Sequence, residues 1–266
     1  MKLGLFQCGS DAASLAERLD RLHAAVTHER QTTGEGPAMV VCPELFASGY
    51  HIGDRLRERA LAQNSPGFER IRESCRALDL TLVFGYPECE GTVLYNSAAC
   101  IDRNGNLLAN HRKRLNAPGS FEVEYFTEGA APTLFTVSGM RCAILICYEV
   151  EFPEMVREVA MAGAQLVLVP TALASRWDVV ASRVVPARAF ENGVWVAYVN
   201  HAGTENGLEY LGGSTLAAPN GEVAVRADPL PALVCGTVDA SHVGAAQRRL
   251  PYLRDVQRAG LVRLPD

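Results

Sequence analysis

Three residues in this sequence are of the types needed to attack an amide: Glu44, Lys113 and Cys147. A thiol attacking a carbonyl carbon needs a base for its proton, positive charge or N–H donors for the oxyanion, and an acid for the leaving amine. A glutamate serves as base and then acid when its surroundings raise its pKa, and a lysine supplies fixed positive charge. Taken singly, each has an ordinary explanation. Glu44 reads as a surface acid opening a loop, Lys113 as a solvated residue at a strand end, and Cys147 as a core filler, the usual fate of a free cysteine.

Their placement gives them weight together. Each stands where an apolar, strand-like run gives out. Met39-Val40-Val41-Cys42 leads to Glu44 through Pro43, which has no N–H to continue a ladder. A carboxylate at the edge of a buried sheet is costly to desolvate unless it is used or paired. Leu107 to Arg112 leads to Lys113. The run Arg141 to Cys147 ends on the cysteine, and Phe152-Pro153-Glu154 beyond it reads as a helix start. Cys147 is therefore expected on a strand-to-helix turn, where the helix N–H groups and positive dipole end favour a thiolate and then an oxyanion.

The elements that must hold these residues alternate along the chain. Further strands are expected over Leu3 to Cys8, Ala38 to Cys42, Thr81 to Tyr86, Leu94 to Ile101, Thr133 to Val137, Gln165 to Pro170, Val194 to Asn200, Ser214 to Ala218 and Ala232 to Val238. Leu15, Leu19, Leu22 and Val26 form one stripe of a helix. Weaker helical patterns cover Phe68 to Leu78, Glu154 to Ala162 and Val180 to Glu191. Asn104-Gly105 and Asn220-Gly221 read as hairpin turns. Crossover-linked and hairpin-linked strands together predict an α/β sandwich of mixed sheets. No linker, repeat or low-complexity block divides the chain, so one domain over 1–266 is expected. Within it, 241–266 reads as a C-terminal tail packing at the surface or against another subunit.

Composition narrows the function. The chain has 266 residues, 48% hydrophobic and 21% charged, with a formal net charge of -5. An acidic protein without a Lys/Arg-rich run is a poor partner for nucleic acid. No apolar stretch approaches a membrane span, and Met1 to Gln7 reads as a strand rather than a secretory leader. Eight cysteines without a C-x-x-C spacing fit a reducing compartment, so a cytoplasmic location is expected.

Several blocks around these residues resemble the nitrilase superfamily of carbon–nitrogen hydrolases, with its Glu-Lys-Cys triad. They are Cys42-Pro43-Glu44-Leu45-Phe46 with Gly49-Tyr50, His111-Arg112-Lys113, and Ile146-Cys147-Tyr148-Glu149-Val150-Glu151-Phe152-Pro153-Glu154. Gly85-Tyr86-Pro87-Glu88, Tyr95-Asn96-Ser97, Leu168-Val169-Pro170-Thr171 and Ala187-Arg188-Ala189-Phe190-Glu191-Asn192 add support. The block at Cys147 is similar to the amidase branch, and Gly49 to Gly53 with Leu250 to Asp255 look most like bacterial aliphatic amidases of the 5-aminopentanamidase type. The resemblance implies an αββα sandwich of two mixed sheets flanked by helices. It also implies homodimers or larger homo-oligomers with active sites near subunit contacts. It points to Glu122, ahead of Phe126 and Gly129, as a second glutamate holding the lysine and substrate, with Glu124 as the competing choice. Where the amidase branch usually carries Asp, this chain has Glu149.

The expected reaction is hydrolysis of a small aliphatic carboxamide to acid and ammonia through a Cys147 thioester. Glu44 would be base and acid, and Lys113 with the Tyr148 backbone N–H would hold the oxyanion. No cofactor is required, and no H-E-x-x-H pair suggests a metal. A nitrilase or N-carbamoyl amidohydrolase is the neighbouring alternative. A cysteine hydrolase using His111 or His201 as base is a second, and a non-catalytic binding homologue a third. Tyr50, Glu149, Glu151, Thr171 and Arg188 are candidate substrate contacts. Glu149 and Glu151 would favour a cationic amine unless they neutralise Arg157 or cap the following helix. Arg188 would favour a carboxylate unless it pairs with Glu191 or another acid.

Overall fold

The alternating strand and helix patterns fold into four layers in a computed structural model that describes residues 1–9, 11 and 13–261. In chain order the elements are β1 (Lys2–Gln7), α1 (Leu15–Thr33), β2 (Met39–Val41), α2 (Arg55–Glu58), α3 (Pro66–Leu78), β3 (Thr81–Glu90), β4 (Val93–Ile101), β5 (Leu107–Arg112), α4 (Glu122–Tyr125), β6 (Thr133–Val137) and β7 (Met140–Ile144). A 3-10 turn over Cys147–Glu151 leads into α5 (Pro153–Met161) and β8 (Leu166–Pro170). A π-helical stretch over Val180–Val184 then runs into α6 (Val185–Asn192), followed by β9 (Trp195–Val199) and the short ribbon of β10 (Thr204–Glu205) and β11 (Leu208–Glu209). Last come β12 (Thr215–Ala217), β13 (Val223–Arg226), β14 (Ala232–Thr237), α7 (Ala240–Arg249) and α8 (Tyr252–Arg258).

One sheet has the order β14-β1-β2-β3-β4-β5 and the other β13-β12-β9-β8-β7-β6. In each, three parallel strands are extended on one side by one antiparallel pairing and on the other by two successive antiparallel pairings. The sequence shows no repeat, yet the topology repeats, because a strand order can recur without its side chains recurring.

The two-residue period of the strands sorts side chains into layers. Leu3, Leu5, Met39 and Val41 face Cys142, Ile144, Leu166 and Leu168 between the sheets. The alternate residues Phe6, Val40 and Cys42 pack outward under α1 and α3, and Ala143 and Leu145 pack outward under α5 and α6. The α1 stripe is buried at Leu19, Leu22 and Val26. Ser14 and Glu17 form a reciprocal capping box at its start, and Gly34 ends it at φ 77°.

Two sequence expectations change. The Asn220-Gly221 turn joins β12 to β13, a largely exposed strand whose weak apolar pattern gave no signal. The run expected after it becomes β14 and pairs with β1 in the other sheet, Thr237 opposite Lys2. The stretch read as a tail carries α7 and α8, and Val243 enters the core between the sheets; residues 262–266 of it lie outside the described residues. Among the described residues no helix is long and apolar enough to cross a membrane.

Candidate active site

Glu44 leaves the end of β2 on a bend that needs unusual backbone. Leu45 sits at φ 50°, and β3 approaches so closely that a Cβ on Gly85 would lie 2.7 Å from both the Glu44 Cα and the Pro43 carbonyl oxygen. The Glu44 N–H donates to the carbonyl of Thr171 at 3.3 Å, across to the end of β8 in the other sheet. Its carboxylate is fully buried. Oε1 accepts from Asn96 Nδ2 at 2.7 Å and from Lys113 Nζ at 2.7 Å, while Oε2 has no partner among the described residues.

Lys113 continues β5, its N–H donating to the Asn96 carbonyl at 2.8 Å. Gly129 packs against the same turn, its N–H donating to the Lys113 carbonyl at 2.8 Å. A Cβ there would run into the Arg112 carbonyl, so the glycine is sterically required. The buried ammonium also donates to Glu122 Oε2 at 2.6 Å, and Glu122 Oε1 accepts from the Tyr50 hydroxyl at 2.6 Å. Glu124 is exposed on α4, so Glu122 is the glutamate that meets the lysine.

Cys147 is the third residue after β7 and takes φ 47°, a left-handed conformation that a non-glycine residue holds only when its surroundings enforce it. It opens the 3-10 turn, and α5 begins only at Pro153. The expected strand-to-helix turn is present, with the helix starting at Pro153, and the groups nearest the thiol belong to the 3-10 turn, which Glu149 and Arg188 tie down before the helix begins. Arg188 donates to the carbonyls of Val150 and Glu151 at 3.0 and 2.6 Å.

Electrostatics tie these residues into one unit. Burial, reinforced by the Glu44 charge, pushes the Cys147 thiol well above its ordinary pKa, against the pull of Lys113 and the Thr171 hydroxyl. Burial likewise raises Glu44, up to about 7, while Lys113 works to lower it. For Lys113 burial acts to lower the pKa, but Glu122 and Glu44 outweigh it and keep the amine charged. A thiol held up in this way would need a base in order to react, and a carboxyl with a raised pKa lies in the same buried cluster.

Cys147, Tyr50, Phe121, Tyr148 and Glu151 line one cavity of about 590 Å³, with Arg176 and Trp177 exposed among its lining residues. Of the expected substrate contacts, Tyr50 and Glu151 reach it. Thr171 is buried beside the thiol and hydrogen-bonds to the Tyr198 hydroxyl at 3.0 Å. Glu149 and Arg188 are corrected: both turn to protein partners. Glu149 is buried against His111, Arg114 and Ile146, and Arg188 pairs with Glu191 besides its two carbonyls. Neither histidine serves the thiol. His111 bonds to Thr133 and Glu149, and His201 donates through Nε2 to the Glu44 carbonyl at 2.7 Å with Cys8 Sγ on its other nitrogen. Sequence reasoning missed Asn96 as a partner of Glu44; its place in the Tyr95-Asn96-Ser97 block was the available signal.

The carbon-nitrogen hydrolase family model matches residues 2–248. The chain belongs to the carbon-nitrogen hydrolase family. It is a hydrolase acting on carbon–nitrogen bonds. A Pseudomonas protegens protein described as a hydrolase in the pqqF 5' region is 37% identical over 96% of this chain and 88% of its own. An (R)-stereoselective amidase from a Pseudomonas species is 29% identical over 96% and 91%. Among solved structures, a mutant amidase from Nesterenkonia sp. AN1 superposes with a TM-score of 0.86 at 33% identity, covering 98% of this chain and 95% of that one. That amidase carries the acetamide moiety of fluoroacetamide covalently on its active-site cysteine.

Proposed function

We propose that this carbon-nitrogen hydrolase is an amidase that cleaves small aliphatic carboxamides to the acid and ammonia through a thioester on Cys147. The carrying observation is the division of labour on Glu44: Lys113 and Asn96 occupy Oε1, and Oε2 is left uncommitted in the buried cluster beside Cys147. Oε2 takes the thiol proton as sulfur attacks the amide carbon. Lys113 and the Tyr148 backbone N–H stabilise the oxyanion. The protonated Glu44 then gives its proton to the nitrogen, the C–N bond breaks and ammonia leaves. Glu44 next removes a proton from water, whose oxygen attacks the thioester; the C–S bond breaks and Cys147 recovers its proton as the acid departs. Glu122, held by Tyr50, keeps the ammonium in place.

The cavity suits an unbranched acyl chain beside its aromatic walls. Glu151 is half-buried there, and its carboxylate makes no hydrogen bond or ion pair among the described residues. Burial raises its pKa. A substrate with a hydrogen-bond donor or amine at its far end would satisfy it. Mass spectrometry of the acid-quenched enzyme turning over a panel of neutral, amino- and carboxy-substituted amides tests both parts. An acyl mass on Cys147 is expected, with the amino-substituted amide favoured. Turnover of matched nitriles without turnover of the amides would instead make the enzyme a nitrilase.

A further inference from the structure

Glu149 lies outside the cavity, yet it touches the segments that carry both the nucleophile and the lysine. Its Oε2 accepts from the Ile146 N–H at 2.6 Å and from His111 Nε2 at 2.9 Å, and its Oε1 accepts from the Arg114 N–H at 2.7 Å. Ile146 directly precedes Cys147, and Arg114 directly follows Lys113. His111 and Lys113 belong to the end of β5 in one sheet, and Ile146 leaves β7 in the other. One buried carboxylate therefore staples two sheets together where the thiol and the ammonium must face a common carbonyl.

We propose that Glu149 is a positioning residue that sets the separation of Cys147 and Lys113. The inference rests on those two residues acting as described under the proposed function. A left-handed cysteine is held only by surrounding contacts, and the carboxylate bonds the peptide N–H immediately before it. The extra methylene of Glu over Asp gives the reach to gather donors from both strands. Loss of one donor loosens the nucleophile turn, and a displacement of about 1 Å in such a geometry is enough to cost about 100-fold in rate.

The test compares Glu149→Gln and Glu149→Asp with Cys147→Ala and the wild type. Competent protein is counted by the mass of a chloroacetamide adduct mapped to Cys147, and steady-state ammonia release is expressed per labelled site. Gln keeps the size but turns an NH2 towards an N–H donor; Asp keeps the charge but shortens the reach. The expected result is a fall in kcat per labelled site of about 10- to 100-fold for Gln, with KM nearly unchanged, and partial rescue by Asp. Wild-type kcat per labelled site in Glu149→Gln, with only the melting temperature lowered, would overturn the proposal. Should Glu149→Gln prove insoluble, Glu149→Asp and His111→Gln decide by the same measure, each removing one anchor. Ammonia release surviving in Cys147→Ala would sink the reading of the site itself, which the Glu149 variants alone leave standing.

Discussion

The hydroxyl of Tyr50 donates to Oε1 of Glu122 at 2.6 Å, fixing the glutamate whose other oxygen holds Lys113. Tyr50 thus lines the cavity with its ring while its polar tip serves the ion-pair cluster. Burial and the Glu122 charge raise its pKa well above the ordinary value, so it remains a donor. Tyr50→Phe leaves Glu122 Oε1 buried without that bond, a loss of about 1–3 kcal/mol. A drop in kcat of roughly tenfold or more is expected, read by ammonia release. An unchanged kcat would show that Glu122 needs no second anchor.

Cys147→Ala should abolish ammonia release from every accepted amide while preserving the fold, since it removes one atom at a position whose flanking backbone is held by Glu149 at Ile146 and by Arg188 at Val150 and Glu151. Circular dichroism and a thermal melt report the fold. Turnover near the wild-type rate would exclude the thiol as nucleophile.

The pH dependence follows from Glu44. Burial raises its pKa above the ordinary 4.5, to about 7. Below that value the carboxyl is protonated and cannot accept the thiol proton, so acylation slows as pH falls through the raised pKa and recovers as pH rises. An acid limb near neutrality is expected in single-turnover ammonia release, and Glu44→Gln should lose the limb together with both acylation and deacylation. A limb at the ordinary glutamate value would show that burial does not raise Glu44, and an intact acylation burst in Glu44→Gln would remove Glu44 as the base.

Gly85→Ala tests the approach of β3 to the Glu44 bend. Its Cβ would lie 2.7 Å from the Glu44 Cα and closer still to the Leu45 amide nitrogen, both backbone atoms with no rotamer to yield. Overpacking of this kind costs about 1–3 kcal/mol. A lowered melting temperature and reduced activity are expected together; an unaltered melt would mean the bend relaxes freely.

The sequence alone determined what depends on neighbours along the chain. β5 and β6 were legible to the residue, β6 because its apolar run ends where the strand ends, and the α1 stripe was legible because a buried helix face repeats every 3.6 residues. The residue types at Glu44, Lys113 and Cys147, read with the family resemblance, pointed to the amide chemistry proposed for them. Tertiary structure decided what depends on residues far apart. It chose Glu122 over Glu124, because a short helix turns one towards Lys113 and the other to solvent. It paired β14 with β1 from opposite ends of the chain, and revealed α7 and α8 in a stretch too polar to announce them. It also moved Glu149 and Arg188 from the substrate to the scaffold. A side chain's type is local, but its direction is set by hydrogen-bond partners such as His111, 38 positions from Glu149, and no spacing in the sequence records that meeting.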